Sequence, residues 1–282
     1  MSVRLQIRNT YMPQSLPSYR KPPVIETALS VQFNPIKGFG NAHLGLFWQQ
    51  MREQYPKWND AEPIEPQEEA FGGLRQGLPS FRFATGHRGV RLQMISPDEH
   101  LMVQVQNGRL VYNWRRLDEH QYPRWKQVFP GFQEALSSFN GFLKSENLPG
   151  IVSTQWEVTY VNKIIRGREW EDYKEWADVV PGLLGTAIRS ETAHFETVGT
   201  SWHFILPDKT GRLHVDMTHG FDSPEEDAEE FLILQLTARG GIDEENDRNL
   251  EWGLSQGHEA IVYSFTEITG KTAQEKIWKR EK

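Results

Sequence analysis

The chain has 282 residues, a formal net charge of −7 and no cysteine, so disulfides, thiolate zinc sites and a cysteine nucleophile are excluded. The acidic balance gives no electrostatic footprint for wrapping nucleic acid, which leaves a nucleic-acid-associated accessory protein as the third-ranked hypothesis. With 38% hydrophobic residues but neither an apolar run of about 18 residues nor a secretory signal, the chain predicts a cytoplasmic protein that does not enter the membrane.

The first predicted elements are an arm and a strand. Residues 1–20 contain Pro13 and Pro17 and predict an extended N-terminal arm, either poorly ordered or packed on a neighbouring surface. Residues 22–33 predict the clearest strand of the chain, because their side chains alternate between an apolar and a polar face. The apolar face holds Ile25, Thr27, Leu29, Val31 and Phe33, and the polar face holds Glu26, Ala28, Ser30 and Gln32.

A helix, a loop and a group of strands follow. The helical spacing of apolar residues predicts a helix over 42–55. The acidic, proline-containing stretch 57–79 predicts a loop with room for one short edge strand. Alternation from 81 to 114 predicts an antiparallel β-meander, and Asn107-Gly108 within it predicts a hairpin with a type I′ turn.

The element order then repeats in the second half of the chain. A long helix, expected to be split or kinked at Pro130, closes the first half, residues 21–150. Residues 151–282 begin with a strand, continue with helical spacing from Trp170, and add three strands and a final helix. The lysine-rich end, residues 271–282, predicts a fraying and solvated helix end, with a contact to an acidic partner or a phosphate as the alternative.

These elements predict an α+β fold with an internal duplication. A unit of strand, helix, antiparallel strands and long helix is used twice, and the two halves are packed as one globular body. The sheet is expected either as two curved antiparallel sheets or as one continuous sheet, with the helices on one face. Helix-grip and TATA-binding-protein-like folds use that element order, which makes them the fold analogy.

Four short patterns lie in order along nearly the whole chain. They are Pro22-Pro23-Val24-Ile25-Glu26, then Asn113-Trp114-Arg115 followed by Tyr122-Pro123, then Val158-Thr159-Tyr160-Val161-Asn162, and finally His258-Glu259 with Phe265 and Thr269. Together they resemble a sporadically distributed bacterial family of uncharacterised proteins. The resemblance implies a bacterial protein, and it brings no activity and no catalytic residue.

Polar residues on the predicted strands form the first candidate site. Glu26, Asn113 and Arg115 lie on faces opposite the apolar stripe, whereas Asn162 shares its face with apolar residues. One hypothesis is a cross-strand pair of Arg115 with Glu26 that fixes the strand register. The other is a pocket in which these four residues orient an anionic or amide-bearing ligand or a partner. We assign no catalytic residue and no cofactor.

Histidines form the second candidate site. His214, Asp216 and His219 are the closest cluster of metal-ligand types, but His219 falls on the opposite strand face, so a metal site there needs a bend or bulge. Solvated strand histidines are the alternative, and we expect no bound metal. His258 lies beside the apolar stripe of the last helix, which favours a partly buried, hydrogen-bonded histidine over a general base.

The composition and the lack of a convergent reactive group favour a non-catalytic protein-binding or assembly protein that associates with itself. The alternative is a small-molecule-binding sensor or enzyme with a cavity between a long helix and the sheet. A large apolar cavity with Glu26 or Arg115 pointing into it would favour the alternative. A filled core with a broad apolar surface patch would favour the first hypothesis.

Overall fold

In the residues that it describes, a computed structural model contains one continuous antiparallel sheet of nine strands. It describes residues 15–71, 89–117, 122–184, 196–225 and 227–282. The strands are β1 Val24–Phe33, β2 Lys57–Ala61, β3 Arg91–Ile95, β4 Leu101–Gln106, β5 Arg109–Arg115, β6 Ser153–Ile165, β7 Gly199–Ile205, β8 Arg212–Phe221 and β9 Glu230–Gly241. The predicted α+β class with an antiparallel sheet is confirmed. Residues 81–88 of the predicted meander lie outside the described residues.

The two strands that open the halves, β1 and β6, lie side by side at the centre of the sheet. The strand order is β2-β3-β4-β5-β1-β6-β9-β8-β7. At the centre, Leu29 is opposite Val158 and Val31 is opposite Trp156, in an antiparallel pairing. On its other side β1 pairs with β5, and β6 pairs with β9. Each half thus pairs its first strand with its last, and its other strands follow outward to an edge at β2 or β7.

The helices cover one face of this sheet. They are α1 Asn41–Met51, α2 Trp125–Ser145, α3 Trp176–Val179, α4 Pro181–Leu184 and α5 Leu250–Ile268. The two long helices lie next to each other, and Gln133 on α2 donates to Glu251 on α5 at 2.6 Å. Pro130 lies inside α2, which is a single helix, so the predicted separate short helix is absent. The core fills the space between these helices and the sheet.

Residues 170–184 are less regular than their helical spacing predicts. A 3-10 turn at Tyr173–Glu175 leads into the two four-residue helices α3 and α4. Pro181 has no N–H with which to continue α3, so the helical run is broken there. The aromatic residues still point inward, since Trp170 and Trp176 are both buried.

The N-terminal arm pairs with the C-terminal segment of the chain. Arg20 N donates to Lys279 O at 3.0 Å, and Glu281 N donates to Ser18 O at 2.8 Å. Trp278 is 1% exposed, and its Nε1 donates to Glu169 Oε1 at 3.0 Å. The predicted fraying is therefore wrong, because the tryptophan of this end belongs to the core, whereas its lysines are exposed as predicted. Residues 1–14 of the predicted arm lie outside the described residues.

The predicted hairpin at Asn107-Gly108 is confirmed, but its turn type is not. A type I′ turn needs a positive φ at both residues, and of the two only Gly108 has one, at 108°. Asn107 instead uses its side chain, which accepts from Ile36 N at 2.7 Å and donates to Ile36 O at 3.2 Å. Its amide therefore fixes the connection between β1 and α1.

Four glycines surround the fully buried indole of Trp156 on β6. A Cβ added to Gly253 or Gly257 on α5 would lie 2.1 Å or 2.7 Å from that indole, far inside van der Waals contact. On the other side, a Cβ at Gly240 would lie 2.6 Å from it and one at Gly211 would lie 3.0 Å from it. The close approach of α5 to the sheet therefore depends on the missing side chains.

Candidate functional site

The face of the sheet opposite α2 and α5 is lined by polar and charged side chains, and we call it the polar face. Several of its residues are buried although they are charged or carry amides: Arg109 is 4% exposed, Asn113 3% and Gln155 5%. Buried groups of this kind need hydrogen-bond partners, since an unpaired buried charge is strongly destabilising. The partners come from neighbouring strands and from one crossing segment.

The crossing segment is residues 62–71, which we call the strap. It passes over β4, β5, β1, β6, β9 and β8 without forming secondary structure. Three glutamines on successive parts of the polar face hold its backbone, each by accepting from an N–H and donating to a C=O. The pairs are Gln106 with Ile64 (2.8 and 2.8 Å), Gln32 with Gln67 (3.1 and 3.2 Å), and Gln155 with Glu69 N and Gln67 O (3.1 and 2.7 Å).

Near its C-terminal end the strap carries a carboxylate that is held by three basic side chains. Glu69 accepts from Arg239 Nε at 3.0 Å, from His214 Nε2 at 2.6 Å and from the Arg212 guanidinium. Its side chain is only 3% exposed. Burial by itself raises the pKa of Glu69, but the hydrogen bonds and charges of His214 and Arg239 outweigh burial and lower the pKa to about 2. Glu69 is therefore ionised at every ordinary pH.

A second carboxylate joins this cluster to the centre of the sheet. Glu157 on β6 accepts from Arg239 at 3.1 Å and from Arg109 on β5 at 3.2 Å. Arg109 also donates to Gln32 Oε1 at 2.9 Å. The Gln32 amide, which holds the strap backbone, is thus itself held in place by Arg109.

The predicted site residues Glu26, Asn113 and Arg115 also lie on the polar face. The register places Arg115 opposite Glu26, but the carboxylate of Glu26 accepts from Asn113 Nδ2 at 2.6 Å, and Arg115 donates to Glu99 O at 3.3 Å. Among the described residues there is no direct ion pair between Arg115 and Glu26. Burial raises the pKa of Glu26, although Asn113 and the nearby charge of Arg115 act in the opposite direction.

Replacement of Glu26 by glutamine is expected to raise the melting temperature at pH 7. The raised pKa of Glu26 means that the folded state disfavours its charged form, and an amide removes that cost while keeping an acceptor for Asn113. Thermal denaturation at pH 7 measures the effect, and the difference between variant and wild type should shrink at pH 4. A loss of stability at pH 7 in the variant would contradict this account.

The fourth predicted residue, Asn162, is on the helix-covered face, as the alternation predicts. It is 2% exposed, and its Nδ2 donates to Leu234 O at 3.0 Å. There it lines a pocket of about 410 Å³ between the start of α2, α5, β6 and residues 16–19 of the arm. The walls are mainly apolar, with Trp125, Ile261 and Phe265 among them.

A chain of three hydrogen-bonded side chains runs through the wall of this pocket. Tyr122 and Tyr160 share a hydrogen bond between their hydroxyls at 2.7 Å, and Tyr160 is bonded to His258 Nδ1 at 2.9 Å. The His258 ring stacks on Trp125 with a centroid distance of 4.3 Å. Burial lowers the pKa of His258 to about 4 and raises the pKa of both tyrosines. All three groups are therefore neutral at pH 7.

The histidine cluster does not converge. His219 lies on the helix-covered face, where its Nε2 is bonded to Glu230 at 2.8 Å. His214 is bonded to Glu69 and, through Nδ1, to His203 at 2.8 Å, while Asp216 accepts from Ser201. Among the residues that the structure describes, no group of three such side chains is placed to hold a metal ion.

Sequence reasoning missed the two most elaborate arrangements, the strap and the Tyr122–Tyr160–His258 chain. The one usable signal for the first was Gln32 on the polar side of a strand, and for the second His258 beside an apolar stripe. No protein-family model matches the chain, and neither does any curated protein. In the described part of the chain, no helix has the length and apolar character needed to cross a membrane.

Proposed function

We propose that this protein is a non-catalytic binding protein whose ligand is a largely apolar small molecule with one polar group. The observation that carries the proposal is the neutral Tyr122–Tyr160–His258 chain in the wall of the 410 Å³ pocket. That volume falls within the range of pockets that enclose small ligands. The pocket lies between long helices and the sheet, but Glu26 and Arg115 are on the other face of the sheet and do not reach it.

The chemistry of the wall favours binding over catalysis. A neutral histidine and two protonated tyrosines give fixed hydrogen-bond donors and acceptors without a charge that must be desolvated. The hydrogen-bond chain can run in either direction, so His258 Nε2 is a donor in one proton order and an acceptor in the other. Either order can hold a single polar group of a ligand, while Trp125 and Phe265 contact its apolar part.

Filling the pocket should abolish binding of a small apolar probe. Val262 on α5 lines the pocket and is half-buried, so a Val262→Trp variant places an indole in the cavity. We expect its affinity for the neutral dye Nile red to fall at least about tenfold, measured by fluorescence titration. Glu259→Trp is the matched control, because Glu259 is exposed on the same helix, and it should bind the dye like the wild type. Equal binding by Val262→Trp would place the dye elsewhere and remove the support for the pocket.

A second proposal is protein binding or assembly, including association with another copy of the chain. The observation in its favour is the polar face, which already holds an extended polypeptide segment. Exposed apolar side chains such as Trp58 and Ile205, 54% and 60% exposed, add to it. Light scattering with native mass spectrometry on the purified protein tests both proposals, because it reports the number of copies and any retained ligand.

We also propose that the fold arose by duplication of residues 21–150 and 151–282 and resembles the TATA-binding-protein-like arrangement. The support is that each half pairs its first strand with its last and places a long helix over it. We further propose that the chain belongs to the sporadically distributed bacterial family, which the four sequence patterns support. A cytoplasmic location is also a proposal, and the composition supports it. A nucleic-acid-associated role is the weakest proposal, because the net charge is −7.

A further inference from the structure

We propose that the polar face is a binding site for an extended acidic segment of a partner protein, and that the strap occupies this site in cis as a competing ligand. This site lies on the opposite face of the sheet from the small-molecule pocket and does not depend on it. Three observations lead to it: how the strap backbone is held, how its carboxylate is held, and how little else attaches it.

The strap backbone is recognised through its amides. Gln106, Gln32 and Gln155 each bond to an N–H and a C=O of the strap. Such contacts require an extended chain but do not depend on its side chains, so they suit any extended polypeptide. Main-chain hydrogen bonds supply affinity in other peptide complexes in the same way. The glutamines of the polar face are therefore a general clamp for an extended segment.

The end of the clamp selects a carboxylate. Arg212, Arg239 and His214 converge on Glu69, while Arg109 and Arg239 share one further carboxylate among the described residues, that of Glu157. Without Glu69 the cluster keeps three arginines and a single acid, so it carries a net positive charge in a chain that is acidic overall. A partner must therefore place a Glu or Asp two residues beyond the residue that Gln32 holds.

The strap crosses six strands, and side chains of the sheet hold it. Each described hydrogen bond between the strap and the sheet runs through a sheet side chain, and none joins two backbones. Glu65, Pro66, Gln67 and Glu68 are exposed, so this part of the strap buries little apolar area. Segments with few buried contacts open at a small free-energy cost. Because the strap is part of the same chain, it competes with a partner at a high effective concentration.

The test uses the full chain and a labelled synthetic peptide with the sequence of residues 62–71. In a Glu69→Gln variant the strap loses its carboxylate, so the peptide should bind at least about tenfold more tightly than to the wild type, measured by fluorescence anisotropy. A peptide with glutamine in place of Glu69 should lose at least about tenfold in affinity for the same variant. Glu68→Gln is the matched control, because Glu68 is exposed, and it should behave like the wild type.

A second variant guards against misfolding of the first. Gln67→Pro removes the N–H that Gln32 accepts and leaves all the charged residues in place, so it should also bind the peptide more tightly than the wild type. Tryptophan fluorescence and circular dichroism confirm that each variant is folded. If folded variants bind no peptide, the proposal is overturned. Dimers of the variants in light scattering without peptide binding would assign the face to the strap of a second copy and would overturn a separate partner.

Discussion

Replacing Gly253 by alanine is expected to lower the free energy of unfolding by about 2 kcal/mol or more. The added Cβ would lie 2.1 Å from Trp156 Cδ1. The indole has little room to move away, because Trp156 is fully buried and its other side packs against Gly240, where an added Cβ would lie 2.6 Å from the ring. Alanine favours a helix over glycine by up to about 1 kcal/mol, and the steric cost exceeds that gain. Urea denaturation followed by circular dichroism measures the difference.

Gly141 provides the matched control for this prediction. It lies in α2, is exposed, and a Cβ added to it meets no atom within 4 Å. Gly141→Ala should therefore stabilise the protein by about 0.5–1 kcal/mol through helix propensity alone. Opposite signs for the two Gly→Ala variants would support the close packing of α5 on β6. A stabilising Gly253→Ala would show that α5 lies further from Trp156 than described.

Acidification should release the strap anchor, and a Glu69→Gln variant should be less stable than the wild type by about 2 kcal/mol at pH 7. The pKa of Glu69 is lowered from its usual value near 4.5 to about 2 in the folded protein. Such a shift corresponds to about 3 kcal/mol. The expected loss of stability is set lower, at about 2 kcal/mol, because the Arg212 side chain is 24% exposed and water screens part of the interaction.

The sign of the effect follows from which state holds the proton. The unfolded state binds a proton at Glu69 near pH 4.5, whereas the folded state binds it only near pH 2, so the contribution is complete above pH 4.5 and is lost as the pH falls towards 2. The stability curves of wild type and Glu69→Gln should therefore run parallel above pH 5 and converge near pH 2. Urea denaturation at several pH values measures both curves.

Other carboxylates also titrate in acid, but their contributions cancel when the stability of Glu69→Gln is compared with that of the wild type. Glu230, for example, also has a lowered pKa, and it is present in both proteins. Glu68→Gln changes an exposed strap carboxylate and should follow the wild-type curve throughout. Curves of wild type and Glu69→Gln that coincide at pH 7 would mean that the strap carboxylate is not part of the folded network.

The strands could be predicted because their pattern is local. The alternation in residues 22–33 placed β1 and its two faces, and the pair Asn107-Gly108 placed a hairpin. The turn type failed because tertiary contacts of the Asn107 side chain, which the dipeptide does not encode, hold a different conformation. The prediction that Pro130 splits the helix was wrong, because a proline near the start of a long helix removes one hydrogen bond and leaves the remaining turns intact.

The candidate sites could be predicted only in part, because their residues are far apart in the sequence. Glu26, Asn113 and Arg115 were expected on polar strand faces, but the hydrogen bond to Glu26 comes from Asn113 and not from the predicted partner Arg115. The contact of Glu69 with Arg212 joins residues 143 positions apart, and the acids around Glu69 have the composition of a solvated loop. No periodicity marks which one of several neighbouring glutamates turns inward, so the strap was predicted only as a loop.

The central pairing of β1 with β6 has a consequence for synthesis of the chain. Gln32 and Thr154, which share a hydrogen bond at this pairing, are 122 residues apart. A ribosome therefore completes the first half of the sheet while one edge of β1 is still unpaired, and an unpaired strand edge is a template for other chains. Non-local pairings of this kind also slow folding, since a long loop must close before the hydrogen bonds form. The interval in which the nascent protein is most open to aggregation thus ends only when Ser153–Ile165 emerges and covers β1.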